Sequence, residues 1–372
     1  MNMKNTSLKY PIYQPLLTGK EKEYVNDCLE EGWISSLGKY IEMFEDSVSN
    51  YVGTKYAISC SSGTTALHLA LLSLGIKKGD EVILPSLTFV ATANAISYTG
   101  ATPVFADSYE NSYLINVEDV ESKITDKTKA IIAVHLYGNS CEMEKLKILS
   151  SKYNLYLIED NAEAIGTKYN NQLTGSFGDI SCFSFYGNKT ITTGEGGLVC
   201  TDNKNLASSI KLLKDHGLDI KANEYYTHSV IGFNYRMTNI SAAIGLAQME
   251  SINEIIENKR EIANFYISDL DSLKNITFQH VEENVFSTYW LCSLVCSSYE
   301  ERNGLAKFLK EYGVDSRPFF VPLNELEIYK KQNEHTPVSS VLGLKGLSLP
   351  SYPGLEKKDL IYITNIIKNY FN

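Results

Sequence analysis

Lys189 lies in SFYGNKTITTGEGG, residues 184–197, just after the run DISCFSF and ahead of two closely spaced glycine turns. A lysine at the mouth of a turn is ordinarily a solvated side chain. Lysine is also a compact charge with a readily shifted pKa, which suits it to Schiff-base chemistry with an aldehyde and to neutralising phosphate. Ser184 flanks the same turn, and the glycines of TTGEGG let backbone approach a ligand closely.

Two other segments carry matching chemistry. CSSGTTALHL (60–69) passes from a strand pattern through small residues into a helical pattern. The first N–H groups of a helix lack carbonyl partners and carry partial positive charge, so Ser62, Gly63 and Thr64 can receive a phosphate. Ser61, Ser62 and Thr64 equally serve as plain helix caps. YLIEDNAEAIG (156–166) ends an apolar run at Asp160 and carries Glu163 just beyond it. In open parallel sheets ligands bind past the carboxyl ends of the strands, which turns Asp160 toward a pocket. A helix N-cap is the other reading of that aspartate.

The elements that would position these residues alternate along the chain. From residue 20 to about 215, short β-branched runs (YAISC, DEVILP, ATPVFAD, KAIIAVHLYG, LYLIED, DISCFSF, GGLVCTD) follow and precede helical patterns. The runs are continuously apolar, as strands buried on both faces of a mostly parallel sheet read, so the fold class is α/β with helices on both sides. One long helical pattern spans 238–270, with Thr238 and Asn239 as caps. After it, STYWLCSLVC, ERNGLAKFLKEYG, VDSRPFF and KKDLIYITNIIKNYF predict a smaller α+β unit. A chain of 372 residues exceeds what one core supports, so two domains are expected, 1–250 and 251–372.

Composition narrows the function. Net charge is −10 and no long block of lysine or arginine occurs, so the footprint of a nucleic-acid binder is missing. No apolar run has the length of a membrane span, and MNMKNTSLKYPIYQPLLTGKEKEY lacks the pattern of a secretory leader, so a cytoplasmic protein is expected. Seven scattered cysteines, most in apolar runs, read as buried thiols, and no metal site is expected.

A phosphate seat, a carboxylate and a lysine thus each follow a strand pattern in one domain. That set fits pyridoxal 5′-phosphate, which needs an anion site, a lysine for its aldehyde, and an acid to keep its pyridine nitrogen protonated.

QPLLTGKEKEYVNDCLEEGWISSLGKYIEMFE, GTTALHLALLSLGI, VHLYGN, IEDNAEAIG, GDISCFSFYGNKTITTGEGG and GFNYRMTNISAAIGLAQ together resemble the DegT/DnrJ/EryC1/StrS family of pyridoxal-phosphate sugar aminotransferases. The likeness runs from about residue 11 to the C-terminus, and is strongest to the perosamine-type branch. It implies the aspartate-aminotransferase (type I) fold. It implies that Lys189 bonds to the cofactor aldehyde and then shuttles the proton, and that Asp160 pairs with the pyridine nitrogen. Ser62, Gly63, Thr64 and Ser184 would hold the phosphate, Phe89 would stack on the ring, and Glu163 would contact the ring hydroxyl. The resemblance places Asn234 at the phosphate of a neighbouring subunit's cofactor, which implies a homodimer with shared sites. Arg236 is a candidate for a substrate or donor carboxylate, or for a surface ion pair. Some relatives have histidine in place of the lysine and are dehydratases, so Lys189 implies transamination.

The acceptor end departs from the pattern. In SRPFFVPLNELEIYKKQN, Arg317 and Pro318 follow the family, but Asn324 stands where histidine is expected. The resemblance therefore implies L-glutamate as donor and leaves three acceptors open: a GDP-linked 4-keto-6-deoxymannose first, a dTDP-linked 4-keto-6-deoxyglucose next, and a small phosphorylated ketone. Its product would serve a surface polysaccharide such as O-antigen or capsule. Trp33, Ser35, His135, His216 and Tyr226 line that pocket or simply pack. A regulator that binds the cofactor or a sugar nucleotide as a signal is the reading from another class, and a structural or partner-binding protein a third.

Overall fold

The computed structural model describes residues 8–219, 226–330 and 335–371, so the first seven residues of the leader reading lie outside the described residues. Helices α1 (Lys20–Glu31) and α2 (Lys39–Val52) precede β1 (Tyr56–Cys60). Strands and helices then alternate through α3 (Gly63–Ser73), β2 (Glu81–Pro85), α4 (Ala91–Tyr98), β3 (Thr102–Ala106), α5 (Val117–Ser122), β4 (Thr128–Val134), α6 (Met143–Tyr153) and β5 (Tyr156–Asp160). A small hairpin, β6 (Lys168–Tyr169) and β7 (Gln172–Leu173), leads to β8 (Ile180–Ser184), β9 (Gly197–Thr201) and α7 (Lys204–Lys214). The remainder comprises α8 (Asn239–Glu250), α9 (Ile252–Leu270), β10 (Ile276–Phe278), β11 (Val285–Phe286), β12 (Cys292–Cys296), α10 (Tyr299–Glu311), β13 (Arg317–Pro318), α11 (Pro337–Lys345), β14 (Gly346–Leu349) and α12 (Lys357–Phe371).

The central sheet runs β1-β9-β8-β5-β4-β2-β3. β8, β5, β4, β2 and β3 pair in parallel, and only β9 is antiparallel to its neighbours β1 and β8. The apolar runs are continuous because successive side chains enter different cores: Val82, Leu84, Ile132 and Ile158 face one cluster, while Ile83, Ile131, Ala133 and Leu157 face another. This is the mainly parallel α/β sheet that the sequence implied. A four-stranded antiparallel sheet, β10-β12-β14-β13, packs with α9, α10 and α12 around a separate core that includes Tyr266, Leu294, Leu347 and Ile363. β11 joins the hairpin in a small third sheet.

The single helix expected over 238–270 is two helices that meet at Ser251. The apolar periodicity continues across the break, which is why the pattern reads as one helix. Thr238 caps α8, its side chain accepting from Ser241 N–H. Asn239 is not a cap: it is buried, and its amide accepts from Tyr40 N–H at 3.0 Å and donates to the Trp33 carbonyl at 2.8 Å. It thereby ties down the loop between α1 and α2.

Candidate active site

β8 delivers its last residue, Ser184, to the sheet edge where β5 ends at Asp160. The chain then turns, with Lys189 N–H donating to the Tyr186 carbonyl at 2.9 Å. The Lys189 side chain is only 13% exposed, its Nζ 3.5 Å from Glu163 Oε1 and 4.1 Å from the centroid of the Trp290 ring. The preceding carbonyl, that of Asn188, accepts from Trp290 Nε1–H at 2.6 Å, and the Tyr13 hydroxyl donates to the carbonyl of Lys189 itself. Two aromatic side chains from distant segments thus hold consecutive carbonyls of the lysine turn.

Asp160 is buried at the end of β5. Its Oδ1 accepts from Ala162 N–H at 3.1 Å and its Oδ2 from the Thr92 hydroxyl at 2.9 Å. Burial pushes its carboxyl above the ordinary range, opposed by those two donors and by the charge of Lys189. Glu163 is also raised by burial, with Lys189 the main opposing influence. Its Oε2 accepts from Tyr137 N–H at 2.9 Å. Tyr137 adopts φ 60°, a left-handed conformation unfavourable for a tyrosine and sustained by its buried surroundings.

α3 starts beside the end of β8. Ser62 is its N-cap, accepting from Thr65 N–H, while Thr65 returns the contact to Ser62 N–H. Of the two readings of Ser62, the structure shows the cap, and the backbone donors at this turn that the helix leaves over are the N–H groups of Gly63 and Thr64, its first two residues. A Cβ at Gly63 would lie 2.6 Å from Ser184 Cβ, so only glycine allows the serine this close to the helix start. Gly197 repeats the device, for a Cβ there would meet the Ser62 carbonyl at 2.2 Å.

Phe89 lies one turn before Thr92, is 54% exposed, and has its ring 5.7 Å from that of Phe320. Asn234 accepts from Arg236 at 3.0 Å, and Arg236 also pairs with Asp215 at 2.9 Å while its buried Nε has no partner. The neighbouring Tyr235 carbonyl accepts from Ser61 N–H, so this segment abuts the α3 turn. Arg317 sits in β13 near Tyr137, whose hydroxyl burial pushes well above its ordinary range, the Arg317 charge opposing this only in small part. Trp33 and Ser35 occupy the loop pinned by Asn239, and His216 and Tyr226 lie at the surface with left-handed backbones.

Two acceptor-side expectations change. His135 is fully buried, Nδ1 accepting from Cys141 N–H and Nε2 lying 3.2 Å from Glu159 Oε2, so no face of it meets a ligand. Asn324 Oδ1 accepts from the hydroxyls of Ser86 and Thr336, joining the end of β2 to the start of α11.

Sequence reasoning missed Trp290, Tyr13, Thr92, Tyr137 and Glu159. Glu159 is fully buried and accepts from the N–H groups of Gly175, Phe177 and Gly178 as well as facing His135. Its position beside Asp160 in IEDNAE was the available signal. The residues fit pyridoxal phosphate: a buried acid, a lysine with restricted exposure, and free helix N–H groups against Ser184. Buried polar atoms on Asn161, Asn188 and Thr190, the sequence neighbours of Asp160 and Lys189, have no hydrogen-bond partner and so leave polar capacity for a further group. A separate cavity of about 1200 Å³, bordered by Tyr109, Glu118, Lys274 and His280, includes none of these groups. Among the described residues no cluster of metal-ligating side chains occurs, and no helix is long and apolar enough to cross a membrane.

A model of the DegT/DnrJ/EryC1/StrS aminotransferase family matches residues 15–368. The chain is 49% identical to the GDP-perosamine synthase of Escherichia coli O157:H7, with 98% of this chain and 100% of that protein aligned. Identity to the GDP-perosamine synthase of Vibrio cholerae is 47%, over 97% and 99% of the two chains. The crystal structure of a DegT DnrJ EryC1 StrS aminotransferase from Brucella abortus superposes with a TM-score of 0.89 at 30% identity, covering 95% of this chain and 96% of that one.

Proposed function

Because the chain belongs to the DegT/DnrJ/EryC1/StrS aminotransferase family, whose enzymes work with pyridoxal 5′-phosphate, we propose that it moves the amino group of L-glutamate to the 4-keto carbon of GDP-4-keto-6-deoxymannose. The observation that carries the reading is the convergence of Lys189, Glu163 and Asp160 at the ends of β8 and β5, beside the start of α3. Near-full-length similarity to two GDP-perosamine synthases supports the choice of acceptor and a place in surface-polysaccharide synthesis.

When bound, the cofactor supplies an aldehyde and an electron-withdrawing ring, so that an amino group and a proton move between carbon and nitrogen. Asp160, fixed by Thr92 and Ala162, holds a proton at the ring nitrogen through charge. The N–H groups of Gly63 and Thr64 and the Ser184 hydroxyl bind the phosphate, with Ser62 acting through its cap. Phe89 covers the ring, and Glu163, aimed by Tyr137 N–H, orients the ring hydroxyl and steadies the Lys189 amine. Lys189 takes and returns the migrating proton, its 13% exposure keeping the amine largely shielded from bulk water. Arg236 and Arg317 are the cations available to substrate carboxylate or phosphate, with Trp33 and Ser35 on the acceptor side.

The working form is a homodimer in which Asn234 reaches the partner's phosphate. Exposed apolar side chains in two segments support it: Trp33, Ile34 and Leu37 between α1 and α2, and Val230 and Ile231 ahead of Asn234. The chain divides near residue 250, with 1–250 carrying the cofactor groups and 251–372 contributing Trp290 and Phe320 to the site.

The test loads the purified protein with L-glutamate, removes the donor, and presents three acceptors: GDP-4-keto-6-deoxymannose, dTDP-4-keto-6-deoxyglucose and a small phosphorylated ketone. Mass analysis should find nitrogen in the GDP-sugar. Nitrogen in another acceptor would replace the assignment, and uptake by none would reject it.

A further inference from the structure

We propose that Trp290 is the resting place of the Lys189 amine whenever that amine is not bonded to the cofactor, and that the same indole positions the lysine turn. The inference rests on the covalent role proposed for Lys189.

The geometry joins both tasks in one side chain. Nζ of Lys189 stands 4.1 Å from the ring centroid, while Nε1–H of the same ring donates to the Asn188 carbonyl at 2.6 Å. That hydrogen bond ties the indole to the backbone next to the amine it supports, so ring and lysine keep register. Trp290 is 2% exposed and lies nearly parallel to Tyr137, at 18° and 6.3 Å between centroids. Tyr137 in turn aims Glu163. Trp290 belongs to the segment that enters β12, so the C-terminal part of the chain supplies this support.

The chemistry of amino-group transfer requires such a place. The ε-amine is bonded to an aldehyde carbon in one state and displaced in another, when the donor's nitrogen takes over that carbon. A displaced ammonium inside the protein is costly unless paired. Glu163 is the nearby anion, but its Oε1 stands 3.5 Å away, loose for a hydrogen bond, and its Oε2 is committed to Tyr137. Asp160, the other facing carboxylate, is held by Thr92 and Ala162. An aromatic face supplies the rest: it attracts the cation through its quadrupole and offers no lone pair to capture the proton the amine must deliver.

The test compares dissociation constants for pyridoxal phosphate, which Lys189 can bond, and pyridoxamine phosphate, which has no aldehyde and leaves Lys189 free. Cofactor-free protein and protein with pyridoxamine phosphate both keep the amine on Trp290, whereas pyridoxal phosphate draws it away. Trp290→Met removes the face and raises both free-lysine states. The ratio of the pyridoxamine phosphate constant to the pyridoxal phosphate constant should therefore rise roughly 2- to 30-fold. General loosening of the site cancels from that ratio. In a Lys189→Ala background the ratio should not respond to Trp290→Met. An unchanged ratio in Trp290→Met with Lys189 present would overturn the proposal. So would a crystal structure of the unaltered protein with pyridoxamine phosphate in which Nζ lies away from the indole, a result that needs no variant to fold. If the unaltered protein binds pyridoxal phosphate no more tightly than Lys189→Ala, the covalent reading of Lys189 fails instead.

Discussion

Thr92→Val removes one hydroxyl and keeps the shape of the side chain. In the structure that hydroxyl donates to Asp160 Oδ2 at 2.9 Å, to a carboxylate that burial already pushes toward its neutral form. A hydrogen bond to a charged group contributes about 1.5–3 kcal/mol, and here it favours the ionised state alone. If ionised Asp160 keeps the ring nitrogen protonated, the loss should appear in the reaction as a fall in kcat/KM of roughly 10- to 150-fold. The direction with pH follows from the same bond. Thr92 lowers the aspartate's pKa, so its removal raises it further, and the acid limb of the kcat/KM profile moves to higher pH. The assay is steady-state transfer from L-glutamate across pH, with cofactor occupancy checked by absorbance. A variant with unaltered rate and an acid limb at its original pH would refute the reasoning, because Asp160 would then not need its charge.

Lys259 is fully buried in α9, with its Nζ donating to the Ser351 carbonyl at 2.7 Å, and burial lowers its pKa from 10.5 to about 7. A lysine depressed on folding contributes stability that is present above its unfolded pKa and lost as pH falls toward the folded value. Lys259→Met should therefore stabilise the protein by about 3 kcal/mol at pH 7, after a loss of about 1 kcal/mol for the hydrogen bond, and the gain should shrink by about 2 kcal/mol at pH 9. Chemical denaturation of both proteins at the two pH values measures this, and a gain independent of pH would contradict it. Gly63→Ala puts a Cβ 2.6 Å from Ser184 Cβ and should weaken pyridoxal phosphate binding by roughly 10-fold, at a cost of about 1–3 kcal/mol in stability. Titration with the cofactor, alongside a thermal melt, reads both, and unchanged affinity would remove the α3 turn from the phosphate site.

The sheet was legible because its strands are buried on both faces, leaving continuous apolar runs such as LYLIED whose ends could be read directly. Lys189, Asp160 and Glu163 were legible for the same reason: each lies at or just beyond a strand end, where parallel sheets collect ligands. Trp290 and Tyr13 were not, since their contacts with the lysine turn join segments remote in sequence and no local pattern distinguishes them from core aromatics. His135 misled because it too follows a strand, and only packing reveals that Glu159 and Cys141 consume its ring nitrogens. The break at Ser251 was hidden by apolar spacing that persists through it. Asn239 was misread because an asparagine near a helix start suits a cap, while here its amide is drawn inward by the loop between α1 and α2.

The most direct measurement reduces the cofactor-loaded protein with borohydride, digests it and locates the phosphopyridoxyl mass. The account predicts that mass on the peptide carrying Lys189, and its loss in Lys189→Ala. A label on another lysine, or no label on a protein that retains the cofactor, would contradict it.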